Sequence, residues 1–543
     1  MELHYATLWE GIADAIGDRD ALVTGATRRS WTEYDDRAAR LARAFGDAGL
    51  GHDSKIGMYL GNGNEYLETQ FAGMKLRGVP ININYRYLDD ELLYLLDNSD
   101  AEALVFHASL ADRVARVKDR APGVRLWIEV DDDPDSSGRV EGALAYEDVI
   151  AGHDPAPRIR RDPSDVYMLY TGGTTGMPKG VMYETGGMLQ AFIGLIYPLL
   201  GLPIPSVEEI PGIVAKLARE GRSVSSIPAC PLMHGTGAWL GAMLPQVAGA
   251  QVTLLESRSF DPLEMLEKVE AERATQVVIV GDAFGRPIVN ALEEARRSGR
   301  HFDLSSLQFL VSSGVMFTRE VKQALLEWHD FVIIDAMGST EGSMGTQITT
   351  RGNLAETARF AKGAETKVFT EDGREVVPGS GEPGMVAAGG AVPIGYYKDE
   401  AKSRATFREI DGVRYSFPGD WAIVEADGTL TLLGRGSNCI NTAGEKVYPE
   451  EVEEAVKTHE DVIDCLVVGV EDEKFGQRVT AVASLAADST LSEDELREHT
   501  RTRLAGYKIP KQIFLVERVE RAPNGKADYK WARATVESRL AEG

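Results

Sequence analysis

Tyr170 to Gly180 carries four glycines, three threonines and one lysine in eleven residues. The apolar run Val166-Tyr167-Met168-Leu169 leads into it, which predicts a strand feeding a loop dense in N–H and hydroxyl donors. Glycine lets backbone amides turn toward one anion, so such a loop suits polyphosphate oxygens. A Walker A loop needs Gly-Lys-Ser/Thr in succession, and here Lys179 stands three residues after Gly176, across Pro178.

The elements that must position this loop follow from periodicity. Ala38, Leu41, Ala42 and Phe45 share one face of a predicted helix from Thr32 to Leu50. Strands are predicted at Ile56–Leu60, Ala103–Phe106, Val252–Leu255, Val277–Val280 and Phe309–Val311, with a helix over Pro262–Arg273. That alternation predicts an α/β region of mixed, largely parallel sheets flanked by helices, residues 1–434. Beyond Gly434-Arg435-Gly436-Ser437 the pattern restarts. Pro449 opens a helix with Glu450 and Glu451 in its first turn, Val462–Val470 is a strand, and Ser492 with Glu495 forms a capping box. Residues 435–543 are therefore expected to be a small α+β domain, with a hinge near Ser437. The run Glu450-Glu451-Glu453-Glu454 reads as a solvated helix face.

At 543 residues the chain is too long for one core. A net charge of −26 disfavours nucleic acid and anionic membrane as partners. Cys230, Cys439 and Cys465 show neither metal-ligand spacing nor a disulfide framework, which fits a reduced, cytoplasmic setting. No secretory signal is expected from Met1-Glu2-Leu3-His4. The most apolar window, Met188–Pro205, is broken by prolines and glycines, so no integral membrane segment is expected. A homodimer is compatible with these properties.

Six motifs in order resemble the adenylate-forming superfamily of acyl-CoA synthetases, luciferases and peptide-synthetase adenylation domains. They are the loop Thr171–Gly180, Pro231-Leu232-Met233-His234-Gly235, Gly338-Ser339-Thr340-Glu341, Pro418-Gly419-Asp420, Gly434-Arg435 and Asn524-Gly525-Lys526. The resemblance covers nearly the whole chain and implies ATP, Mg²⁺ and coenzyme A. A carboxylate would attack the α-phosphorus of ATP, so charge neutralisation and positioning carry the reaction. In that scheme Thr171, Gly172, Gly173, Thr174, Thr175, Gly176 and Lys179 hold the phosphates. Gly314 also falls among the nucleotide-binding residues. Glu341 binds Mg²⁺, a hard cation that favours oxygen ligands. Thr340 bonds the α-phosphate, Asp420 and Arg435 bond the ribose, and His234 gates or positions the acid. Lys526 bridges the acid carboxylate and the α-phosphate.

A thiol then attacks the acyl-adenylate, and in the family the small domain turns about its hinge between the two steps. Gly444 would leave room for the pantetheine. Ser437 replaces a usual Asp or Lys, Met337 a usual aromatic, Gly172 a usual serine and Asn441 a usual lysine. Met233-His234-Gly235 and Ile440–Glu451 are similar to bacterial fatty-acyl and steroid-side-chain CoA ligases, as is the added segment around Leu202–Arg222, which an inert surface insertion would equally explain. The expected partners are thus a hydrophobic small-molecule carboxylic acid, ATP and CoA. Two other readings remain: an enzyme passing its acyl group to a carrier protein or other acceptor, and a nucleotide-binding regulator without chemistry.

Overall fold

The computed structural model describes residues 1–132, 139–171, 177–442, 445–472, 476–504, 506–522 and 525–542. A thirteen-stranded sheet runs through the large region. In its centre Asp20–Thr24, Gln251–Leu254, Ser225–Pro228, Gln276–Ile279, Phe309–Ser313 and Val332–Ser339 lie parallel. Gly342–Thr349 then reverses direction, and antiparallel strands including Asp420–Val424 and Leu430–Arg435 complete it. A five-stranded sheet containing Lys55–Tyr59 and Ala101–His107 is parallel throughout. Both faces of such strands are covered, so Gln276–Ile279 is buried at every position. A third sheet joins Val166–Thr171, Lys179–Glu184 and Gly395–Tyr396, all antiparallel.

The predicted helix is observed at Trp31–Asp47, closed by a capping box from Ser30 and Glu33. Helix Pro262–Ala271 starts on Asp261, whose side chain accepts from Leu263 and Glu264 N–H. The segment after Leu202 is no loose loop. It forms helix Ile210–Arg219, which buries Ile210, Val214 and Leu217; Ile210 and Val214 join the same cluster as Ile12 and Ile16 of helix Tyr5–Ile16.

Past the one-turn 3₁₀ helix Gly436–Asn438, five strands form a separate sheet flanked by Pro449–Lys457, Glu493–Arg501 and Tyr529–Glu542. The capping box at Ser492 and Glu495 is present. The acidic run is not solvated as expected. Glu453 is 4% exposed and accepts from Val467 N–H, and Glu450 presses against the strand Leu430–Arg435. Helix Pro449–Lys457 packs against its sheet and against the body at once, so the run cannot face water on all sides.

A buried ion pair supports the strand leading to Thr340. Lys322, fully buried, holds Asp335 at 2.9 Å and also bonds Gln347. Burial pushes the Asp335 carboxyl up and the lysine opposes that shift. Lys322→Ala is expected to cost about 3–5 kcal/mol, because it strands a carboxylate in the core. Denaturant unfolding checks this, and a loss under ~1 kcal/mol would mean that water reaches Asp335.

Candidate active site

Ligands of open parallel sheets sit beyond the carboxyl ends of the strands. The segment Ala229–His234 follows Ser225–Pro228, Gly314 follows Phe309–Ser313, and Thr340 with Glu341 follows Val332–Ser339. These strands lie within one parallel stretch, so their ends bring together residues far apart in sequence. Gly314 takes φ +89°. A Cβ there would lie 3.7 Å from Thr236 Oγ1 and 3.9 Å from Lys526 Cε, so the lysine from the far end of the chain runs past this glycine. Neighbouring Gly525, at φ +77°, packs against Val280, Ala283 and Phe284 of the body.

Charges converge around Lys526. Burial lowers its pKa, Arg435 adds to the lowering, and Glu341 and Asp420 oppose it. Asp420 and Arg435 are cross-strand partners, with Arg435 Nε 3.5 Å from Asp420 Oδ1. The second oxygen of Asp420 is buried with no hydrogen-bond partner among the described residues. Burial raises the Asp420 carboxyl, while Arg435 lowers it. An orphan acceptor beside a guanidinium is the donor–acceptor set that a sugar diol would complete.

Glu341 lies in the turn between Val332–Ser339 and Gly342–Thr349, not at a helix start. Tyr396 O–H donates to its Oε1 at 2.8 Å, and Tyr183 O–H donates to the Thr340 carbonyl at 2.8 Å. Among the described residues no three His, Cys, Asp or Glu side chains gather as a metal cage. One carboxylate with an oxygen to spare suits Mg²⁺, which takes its other ligands from phosphates and water. Lys179 pairs with Asp399 at 2.6 Å. Thr171 ends the strand before the loop. Gly172, Gly173, Thr174, Thr175, Gly176 and Gly444 lie outside the described residues.

His234 begins the apolar side of the site. Burial lowers its imidazole to about 4, with Lys526 and Arg86 contributing, so it is neutral at physiological pH. A π-helix, Thr236–Met243, follows directly. Such wide turns cluster at functional sites. Trp239 within it donates from its indole N–H to the Tyr167 hydroxyl oxygen at 3.0 Å and meets the Tyr183 ring edge-on at 5.8 Å. Met337 is buried with Met344 and Phe360 rather than standing on an open face. Between body and C-terminal domain lies a cleft of about 820 Å³, lined by Arg86, Arg258, Pro231 and Val315 on one side and by Arg518 and Gly525 on the other.

Sequence reasoning passes over Thr236, Tyr183 and Tyr396. Tyr183 is visible as an aromatic four residues past Lys179, but nothing local tells where its hydroxyl ends. The sequence pattern sets Glu450 in water. Its Oε2 is instead buried and unpartnered among the described residues, and Oε1 accepts from Arg435 N–H at 3.4 Å. Burial, then Glu453, raises it to about 8 against an ordinary 4.5. Between those values the folded chain holds a proton that the unfolded chain releases, so stability falls as pH rises through the window. Glu450→Gln is therefore expected to lose less melting temperature between pH 5 and pH 8 than the wild type. Scanning fluorimetry reads this, and an identical slope would show an ionised, hydrated Glu450.

The class is that of adenylate-forming enzymes. Residues 10–397 match the family model of AMP-binding enzymes and residues 451–526 that of the AMP-binding enzyme C-terminal domain, and the chain belongs to this family. It is 39% identical across its whole length to a 3-oxocholest-4-en-26-oate–CoA ligase of Rhodococcus rhodochrous, covering 97% of that protein. It is 40% identical to a medium/long-chain-fatty-acid–CoA/3-oxocholest-4-en-26-oate–CoA ligase of Mycolicibacterium smegmatis, covering 98% of it. In fold it is similar to the anthranilate CoA ligase AuaEII solved with anthranoyl-AMP, with a TM-score of 0.84 at 21% identity and 99% and 98% of the two chains covered.

Proposed function

We propose that the protein is an ATP-dependent acyl-CoA ligase for a hydrophobic carboxylic acid, either a fatty acid or the acidic side chain of a steroid-like polycycle. The carrying observation is Lys526, brought from the end of the chain to Gly314 and into the field of Glu341, Asp420 and Arg435. The names of the relatives support the acid class. Asp420 and Arg435 hold the ribose. Glu341 supplies the carboxylate for Mg²⁺, whose bound charge would neutralise phosphate oxygens. Thr340 bonds the α-phosphate.

Lys526 draws the acid carboxylate to the α-phosphorus, and the carboxylate oxygen displaces pyrophosphate to give acyl-AMP. Neutral His234 cannot repel the cation of Lys526, so its place at the apolar side suits positioning rather than proton removal. A thiol then attacks the acyl carbon and AMP leaves. Residues 435–543 act as a cap turning about Ser437 between the two steps. A cytoplasmic setting suits a sequence whose three cysteines have no disulfide-framework spacing. Among the described residues no helix is long and apolar enough to cross a membrane.

The test is a panel of short, medium and long fatty acids plus steroid acids, read as AMP release with and without CoA. A thioester product and CoA-dependent turnover are expected. Turnover indifferent to CoA would favour transfer to another acceptor, and no pyrophosphate release with any acid would favour a regulator without chemistry.

A further inference from the structure

Tyr396 and Asp399 stand at the two ends of one short turn of chain, and they hold Glu341 and Lys179, the groups assigned above to Mg²⁺ and the phosphates. Tyr396 sits on Gly395–Tyr396, whose partner strand Lys179–Glu184 leaves the phosphate loop. Its O–H donates to Glu341 Oε1 at 2.8 Å. The Lys179 ammonium lies 5.7 Å from the centre of its ring and 2.6 Å from Asp399 Oδ2. Ser403 ties the turn together: its Oγ accepts from Tyr396 N–H at 2.8 Å and donates to the Asp399 carbonyl at 2.7 Å. The ring itself packs on Phe407 at 5.2 Å.

From this geometry we infer that Tyr396 is a positioning residue for Glu341, fixing which carboxylate oxygen is presented to a divalent cation. The inference rests on the ATP-dependent reading above. A carboxylate with both oxygens unrestrained rotates, and ordering it on metal binding costs affinity. A phenol on Oε1 removes that freedom in advance and leaves Oε2 for the cation. The bond is charge-assisted, hence stronger than one between neutral groups. Hydrogen-bonded supports of metal-ligating groups commonly alter affinity by 10–100-fold when removed.

Tyr396→Phe deletes one oxygen and keeps the ring, its packing on Phe407 and its place beside Lys179. If the phenol is only part of the core, metal affinity will not move. The probe is Mn²⁺ bound with α,β-methylene-ATP, followed by electron paramagnetic resonance, with AMP binding in the absence of metal measured in parallel. Expected in Tyr396→Phe is a rise of about tenfold in the Mn²⁺ Kd with AMP affinity unchanged. Ser403→Ala, which frees the Tyr396 backbone but keeps the phenol, is expected to shift the Kd in the same direction by less. Mn²⁺ affinity equal to wild type in both variants overturns the proposal and leaves the ligase reading standing. Wild-type protein that binds no Mn²⁺–nucleotide overturns both.

Discussion

Lys526→Ala is expected to lower acyl-AMP formation by about 10²–10³-fold, the range seen when one preorganised charge-stabilising donor is removed from a transition state. The side chain lies beside Gly314 and Thr236, where burial and Arg435 lower its pKa and Glu341 and Asp420 oppose the lowering. Two anions, the acid and the α-phosphate, must meet there, and Lys526 is the lysine that the fold brings to that point. Pyrophosphate exchange into ATP reports the first step. The second step, attack of CoA on supplied acyl-AMP, is expected to keep most of its rate, because a thiol attacking an acyl carbon needs no cation between carboxylate and phosphate. Equal losses in both steps would remove Lys526 from a role confined to adenylation. An unchanged melting temperature separates lost chemistry from lost docking of the cap.

Asp420→Ala is expected to raise the KM for ATP by roughly ten- to hundredfold and to leave the KM for the acid nearly unchanged. The size follows from hydrogen bonds to a charged group, worth about 1.5–3 kcal/mol each. Oδ2 of Asp420 is sealed from water without a partner among the described residues, and a ribose hydroxyl would supply one. The substitution also takes the carboxylate from Arg435, whose pKa that carboxylate raises. Asp420→Asn keeps one carbonyl acceptor and the shape, so its effect should fall between alanine and wild type. Equal KM values for ATP in all three proteins would contradict the ribose assignment.

Much of the architecture is legible because its signals are local. Alternation of apolar runs with helical periodicity predicts the parallel strands, and Ser492 with Glu495 predicts a helix start that is present. Pro449 opens its helix for the same reason: a residue lacking an N–H belongs where no helical partner awaits it. The glutamates on that helix show the limit. Nothing in Glu450-Glu451-Glu453-Glu454 tells that a second sheet and the strand Leu430–Arg435 cover two of the four. Burial belongs to whatever packs opposite, and that is set by distant chain.

What the sequence determined alone was the inventory: a donor-rich loop, a Thr340-Glu341 pair, Asp420, Arg435 and Lys526, with types and order suited to joining an acid to a nucleotide. The tertiary structure decided which of these meet and what holds them. Tyr396 reaches Glu341 across fifty-five residues, and Tyr183 reaches Thr340 across 157. Composition and periodicity encode what each residue prefers of its near neighbours. A hydrogen bond between strands of different sheets exists only once every intervening strand has taken its register, so no local pattern announces it.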